Sequence, residues 1–372
     1  MVFSIKAFPG MPNGHASFST SLFLSYIFDW ILIVGIALIG YGFHRVESNH
    51  MPFSLDDLNF SYPHKDKETV RTSVMVVVSL IVPAVIIAIV CLLLTPGASL
   101  SNSSSRALLW QRKIWEWNAG WLGLALACAG TFMATEGLKD LYGKPRPDML
   151  ARCDPDLSNI AAYAVSGLGE RLAGAPTLVS WEICRNRADL LKLDGFVSFP
   201  SGHSSFSFAG LTYFSLWLCS KFSIKLPHLA HSPLTQDLRA RNRLAIRDSG
   251  AAPPIYLVIA AFVPFAVAFF ISASRWFDYR HHGFDIIFGS LMGVVFAWVG
   301  FRLYSPPISR GTGWSWGARS REHAFFRGVG VPSNVGDDNW GGLGLGIGGG
   351  AGNEIAENGH VDLESGRRNL AD

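Results

Sequence analysis

The sequence predicts an all-α membrane protein, a six-transmembrane-helix bundle followed by a polar tail. Three observations carry that prediction. Of 372 residues, 49% are hydrophobic and only 16% charged, too little charge to cover a soluble domain of this length. The apolar residues gather into six runs close to the roughly 20 residues a helix needs to cross a bilayer. Polar segments, many punctuated by glycine or proline, separate the runs. The net charge of +3 is too small to argue for a nucleic-acid partner.

The first run, 21–43, is too long for the apolar core of a cleavable signal, so it reads as an anchor that stays behind a short segment, 1–20. Asp29 lies inside it. An acid within a span is a functional candidate by default, but the sequence shows no partner for it. The second run, 72–94, is the clearest, with no charge from Ser73 to Leu94. The third, 117–138, starts beside Trp110, Trp115, Trp117 and Trp121 with Arg112 and Lys113, as an interfacial aromatic belt with basic flanks does. The fourth, 204–220, is short and holds Ser and Thr, so a buried helix of the soluble kind is its competing reading. Runs 254–272 and 284–303 complete the set, giving one domain over 21–303. The tail, 304–372, is rich in Gly, Ser, Asn and Arg and is expected to be disordered.

An even number of spans puts both termini on one side and loops 44–71, 139–203 and 273–283 on the other. Loop 221–253, with Lys221, Lys225, Arg239, Arg241, Arg243 and Arg247, is the strongest cytosolic candidate. Asn59 and Asn102 head glycosylation sequons on opposite sides, which makes the topology testable. Cys91, Cys128 and Cys219 sit in apolar runs as packing residues. Cys153 and Cys184 share a polar loop and would pair if it faces an oxidising compartment; otherwise they are free thiols. No close CxxC pair suggests zinc.

Three clusters sit at loop–span junctions on one face: Lys139 with Arg146-Pro147, then Pro200-Ser201-Gly202-His203, then Ser274-Arg275 with His281 and Asp285. Three cations beside apolar helices are costly without an anion among them, and Arg and Lys match phosphate oxygens. Ser201-Gly202 precedes a helix whose N-terminal N–H groups would bind an anion. If the sixth span begins at His281, Asp285 shares its face and would fix the imidazole tautomer for nucleophilic attack. His203 would serve as general acid and then base. Singly, these residues have plainer readings: snorkelling flank charges, a helix cap, an Asp285 that balances Arg280.

Together, KDLYGKPRP, PSGH and SRWFDYRHHGFD complete the pattern K-x6-RP, PSGH, SR-x5-H-x3-D. In this the chain resembles the type 2 phosphatidate phosphatase superfamily, and within it the lipid phosphate phosphatases. The resemblance implies an integral membrane enzyme that hydrolyses lipid phosphates, with no cofactor or metal. It implies phosphate binding by Lys139, Arg146, Ser201, Gly202 and Arg275. His281 would be the nucleophile, oriented by Asp285, and His203 the proton donor. It selects His281 over His282, since only His281 has Asp four residues on. It also implies a site facing the lumen or exterior, both termini in the cytosol, and residence in an endomembrane or the plasma membrane. The stretch Ile160–Val165 is similar to that of fungal enzymes acting on phosphatidic acid and diacylglycerol pyrophosphate. Competing expectations are headgroup transfer to an alcohol, as in the superfamily's sphingolipid synthases, and transport. Transport is disfavoured because Pro83 and Pro264 come with no internal repeat.

Overall fold

A computed structural model describes residues 20–94, 106–172, 174–186, 189–224, 253–308, 315, 317 and 319. The segment before Thr20, Asn102, the basic stretch 225–252 and most of the expected tail lie outside the described residues. Among the described residues, six long helices form the bundle: α1 (Thr20–Phe43), α2 (Thr72–Leu93), α3 (Arg106–Tyr142), α4 (Gly202–Lys221), α5 (Ile255–Phe277) and α6 (Gly283–Tyr304). All but α4 are long and apolar enough to cross a membrane. Leu24, Ile31, Val85, Phe269 and Ile287 stand exposed on the outward faces of these helices, where only hydrocarbon would suit them.

The fourth expected span, 204–220, is therefore not established by apolarity. The reason is its position. α4 packs against α3, α5 and α6, and residues such as Ser204, Ser205, Ser207 and Ser215 are buried among helices. An interior helix needs no lipid-compatible face and can spend its surface on small polar residues. Its first turns lie directly under α6: a Cβ on Gly293 would stand 2.3 Å from the Ser205 carbonyl oxygen, and one on Gly289 2.7 Å from that of Ser201. Close approach at these two glycines fixes where the N-terminus of α4 sits.

The third span is longer than its apolar run. α3 covers 37 residues, about 55 Å at 1.5 Å per residue. Helical hydrogen bonding does not stop where apolar residues do, so Arg106–Lys113 and Glu136–Asp140 extend it beyond the apolar run at both ends.

Loops 44–71 and 143–201 form a layer over one end of the bundle. It adds strands to the all-α expectation, a small antiparallel sheet of β1 (Phe53–Ser54), β2 (Ala164–Ser166) and β3 (Leu178–Val179) in the order β1-β3-β2. Phe53, Met149, Val179, Ile183 and Phe196 form its core beside a Cys153–Cys184 disulfide. Cys91, Cys128 and Cys219 are buried and free. At the other end of the bundle, Glu116 is buried against Lys221 and accepts from the N–H and Oγ of Ser315, each at 2.8 Å. Arg319 pairs with Asp29. The intramembrane acid thus has a partner from the segment expected to be tail, too far away in sequence to be guessed.

Candidate active site

The three clusters converge where α3 ends, α4 begins and α5 turns into α6. Lys139 lies in the last turn of α3, which stops at Gly143 with φ 55°. A Cβ there would strike the Asn49 carbonyl oxygen at 1.8 Å, so the turn carrying the chain to Arg146 requires glycine. Ser201 caps α4 and His203 sits in its first turn. Arg275 closes α5, a tight turn through Tyr279 follows, and His282 caps α6.

Lys139, Arg146, Gly202, His203, Arg275 and His281 all line one cavity of about 500 Å³. Met75 and Val76 of α2, Phe132 of α3 and Phe206 of α4 give it an apolar wall. Gly202 keeps the cradle open, since a Cβ there would lie 3.2 Å from Lys139 Nζ. The N–H groups of Gly202 and His203, first in α4, have no acceptor within the helix. Ser201 does not line the cavity. Its Oγ is engaged by Ser204, at 3.0 Å from that hydroxyl, and its N–H donates to the Asp285 carbonyl at 3.1 Å.

His281 is buried and its Nδ1 lies 2.6 Å from the Ser198 carbonyl oxygen. A carbonyl only accepts, so Nδ1 carries the proton and Nε2 the lone pair. Burial first, then the positive charges of Arg146 and Lys139, push the imidazole pKa well below its ordinary 6.5. His281 is therefore a neutral ring with an unprotonated Nε2 beside a cationic cavity. His203 donates from Nε2 to the Val70 carbonyl at 3.1 Å.

The expected Asp285–His281 hydrogen bond is replaced by another arrangement. α6 starts at Gly283, not at His281, so the two residues do not share a helix face. Asp285 is the third residue of the helix and folds back to accept from the His282 N–H at 3.1 Å, as a capping residue does. It also accepts from Ser198 Oγ at 2.6 Å and Lys144 Nζ at 2.8 Å. Ser198 therefore links the two: its hydroxyl holds Asp285 while its carbonyl holds His281. Nor does Asp285 balance Arg280, which pairs with Glu68 at 2.6 Å and Asp194 at 3.0 Å.

Each cradle cation already faces a carboxylate that the motifs do not contain. Lys139 donates to Glu136 at 2.6 Å, Arg146 to Asp194 at 2.7 Å and Arg275 to Glu68 at 3.2 Å. Burial would raise the Asp194 pKa, but Arg146, Arg152 and Arg280 outweigh it and hold the carboxyl below its usual range. Sequence reasoning missed these acids, along with Ser198 and Lys144. Lys144 and Arg280 lie within the motif gaps, where a pattern ignores identity; Glu68, Asp194 and Ser198 lie outside the motifs. Among the described residues, no three His, Cys, Asp or Glu side chains converge as a metal-binding group.

The chain matches the PAP2 superfamily over residues 119–308. It is 31% identical to Diacylglycerol pyrophosphate phosphatase 1 of Saccharomyces cerevisiae over 281 residues, 75% of this chain and 80% of that one. It is 31% identical to Probable diacylglycerol pyrophosphate phosphatase 1 of Schizosaccharomyces pombe, covering 77% and 84% of the two chains. It is 28% identical to Lipid phosphate phosphatase 1 of Arabidopsis thaliana, covering 83% and 77%. No solved structure matches the chain.

Proposed function

Because the chain belongs to the PAP2 superfamily and is a multi-pass membrane lipid phosphatase, we propose that it hydrolyses phosphatidic acid, diacylglycerol pyrophosphate and related lipid phosphates through a phosphohistidine, without a metal. The observation that carries this reading is the neutral His281 at a cavity lined by Lys139, Arg146 and Arg275, with His203 at the same cavity. The apolar wall of that cavity suits a substrate whose acyl chains stay in the bilayer while its headgroup enters.

In the proposed reaction, Nε2 of His281 attacks phosphorus. The bond to the lipid oxygen breaks, and His203, entering the step as an imidazolium, gives that oxygen a proton and becomes neutral. The cradle cations and the N–H groups opening α4 take up charge on the transferring phosphoryl group. Water then attacks the phosphohistidine, His203 removes its proton, and inorganic phosphate leaves with His281 restored. Asp285 acts through Ser198 to hold the ring.

The site belongs on the lumenal or exterior face, with both termini cytosolic. The Cys153–Cys184 disulfide supports this, because it lies in the loop layer on the same side as the cavity, and disulfides persist in oxidising compartments. Asn59, exposed in that layer, would then be open to glycosylation.

The test is phosphate release from phosphatidic acid in detergent micelles with excess EDTA, for the native protein and His281→Ala. EDTA-resistant release that disappears in the variant is expected. Release abolished by EDTA would overturn metal independence, and full release by the variant would overturn the nucleophile. No release by the native protein, with headgroup transfer to a ceramide acceptor instead, would overturn hydrolysis.

A further inference from the structure

The three acid–cation pairs of the cradle are not equivalent. Glu136 is one turn from Lys139 on the same helix and is also held by His44 at 3.0 Å. Asp194 is clamped by three guanidinium groups, those of Arg146, Arg152 and Arg280. Glu68 comes from the loop before α2 and divides its oxygens. Oε1 takes a 2.6 Å bond from Arg280, while Oε2 lies 3.2 Å from Arg275 Nη1 and 4.0 Å from His203 Nε2. Oε2 therefore makes the longest of the three carboxylate contacts, and it sits between a cradle cation and the proton donor. A phosphoryl oxygen would need that position.

Arg275 does not depend on Glu68 for its place. Its Nε donates to Ser274 Oγ at 3.1 Å, and Nη2 to the Val70 carbonyl at 2.9 Å and Asp278 at 3.0 Å. Glu68 in turn keeps Arg280 when it lets go of Arg275. The loop itself stays pinned, since Lys65 and Thr69 both bind Asp278 at 2.7 Å. One contact can thus be exchanged without disturbing its surroundings.

We infer that Glu68 is a specificity-determining residue, a resident anion that a phosphate must displace from Arg275 to enter the cradle. It admits ligands carrying two negative charges, such as phosphomonoesters and inorganic phosphate, and resists phosphodiesters, which carry one. The charge on Glu68 opposes any anion beside it, and only a dianion with several acceptor oxygens regains enough from Arg275, Lys139 and Arg146 to replace it. This inference deepens the phosphatase reading of the same cavity and rests on it for the catalytic roles alone.

The experiment measures inorganic phosphate binding by calorimetry on the full-length protein in micelles, for native, Glu68→Gln and Glu68→Asp. Phosphate is expected to bind about tenfold tighter to Glu68→Gln, the effect of losing one competing charged hydrogen bond. Glu68→Asp, which keeps the charge but shortens the reach to Arg275, should gain about threefold; it serves as the test if the Gln variant does not fold. Phosphatidylglycerol, a diester, should become a competitive inhibitor of phosphate release only in the variants, and KM should fall further than kcat moves. A merely structural Glu68 would lower thermal stability and leave phosphate affinity equal or weaker, and that result overturns the inference. Tightened phosphate binding without phosphatidate hydrolysis in any form would leave Glu68 in this role and overturn the hydrolase reading instead. Failure of phosphate to bind native and variant proteins alike would overturn the role of Glu68, while phosphatidate hydrolysis by the native protein would leave the hydrolase reading standing.

Discussion

Replacing Ser198 by alanine tests how Asp285 serves His281. In the structure the carboxylate does not touch that imidazole; Ser198 stands between them, its hydroxyl 2.6 Å from Asp285 and its carbonyl 2.6 Å from His281 Nδ1. Ser198→Ala keeps the carbonyl and the backbone bond to the Lys144 carbonyl but removes the hydroxyl's hold on Asp285. A hydrogen bond to a charged group is worth about 1.5–3 kcal/mol. If all of that positioning is needed only in the transition state, the loss in kcat is about 10- to 160-fold. Asp285→Asn should lose at least as much, because it also weakens the Lys144 contact and the cap on the His282 N–H. The assay is phosphate release from micellar phosphatidic acid, read as separate kcat and KM, with thermal midpoints to confirm folding. Linkage through Ser198 predicts that the double variant loses little more than Asp285→Asn alone. Ser198→Ala within about threefold of native, beside an Asp285→Asn loss of over about a hundredfold, would refute the relay and require direct contact during turnover.

Gly202→Ala would put a methyl 3.2 Å from Lys139 Nζ. The tip of a lysine yields, so the fold should survive, with kcat/KM down about tenfold as the cation is moved off its site; an unchanged value would show that the cradle has slack there. For pH, His281 stays neutral in the folded protein below its ordinary 6.5 while the unfolded chain gains a proton. Its contribution is therefore complete above pH 6.5 and is lost as pH falls below it. Asp194, held below the usual carboxylate range, keeps its contribution throughout this window and loses it only under more acid conditions. The thermal midpoint of native protein should fall more from pH 7.5 to pH 5.5 than that of His281→Asn, and parallel slopes would contradict the assignment. Cys153 and Cys184 close a loop with a sequence separation of 31, and the chain-entropy model makes such a link worth about 3–4 kcal/mol. Cys153→Ser should lower the midpoint and expose the sheet layer to protease before the bundle; an unchanged digestion order would show that the core around Phe53 and Phe196 suffices.

Legibility differed between parts of the chain for identifiable reasons. The five strongly apolar helices were readable because lipid imposes one requirement on every outward residue, and a run such as Ser73–Leu94 can hardly serve another purpose. The fourth run carried a weaker signal because α4 faces helices instead of lipid, and its serines report neighbours that composition does not show. The loop layer was opaque as structure. Its strands are two or three residues long and their pairing spans more than a hundred positions, from Phe53 to Val179.

Sequence by itself determined the chemistry on offer: three cations, two histidines and an acid at fixed spacings, each at the end of an apolar run. Spacing works there because a motif within one segment is held by local geometry. Tertiary structure alone decided the partners. It placed Asp285 on Ser198 instead of His281 because α6 begins two residues later than spacing suggests. It also brought Glu68 and Asp194 from separate loops onto Arg275 and Arg146. A buried charge takes whichever counter-ion the packing brings within about 3 Å, and that neighbour is chosen by the fold of the whole chain.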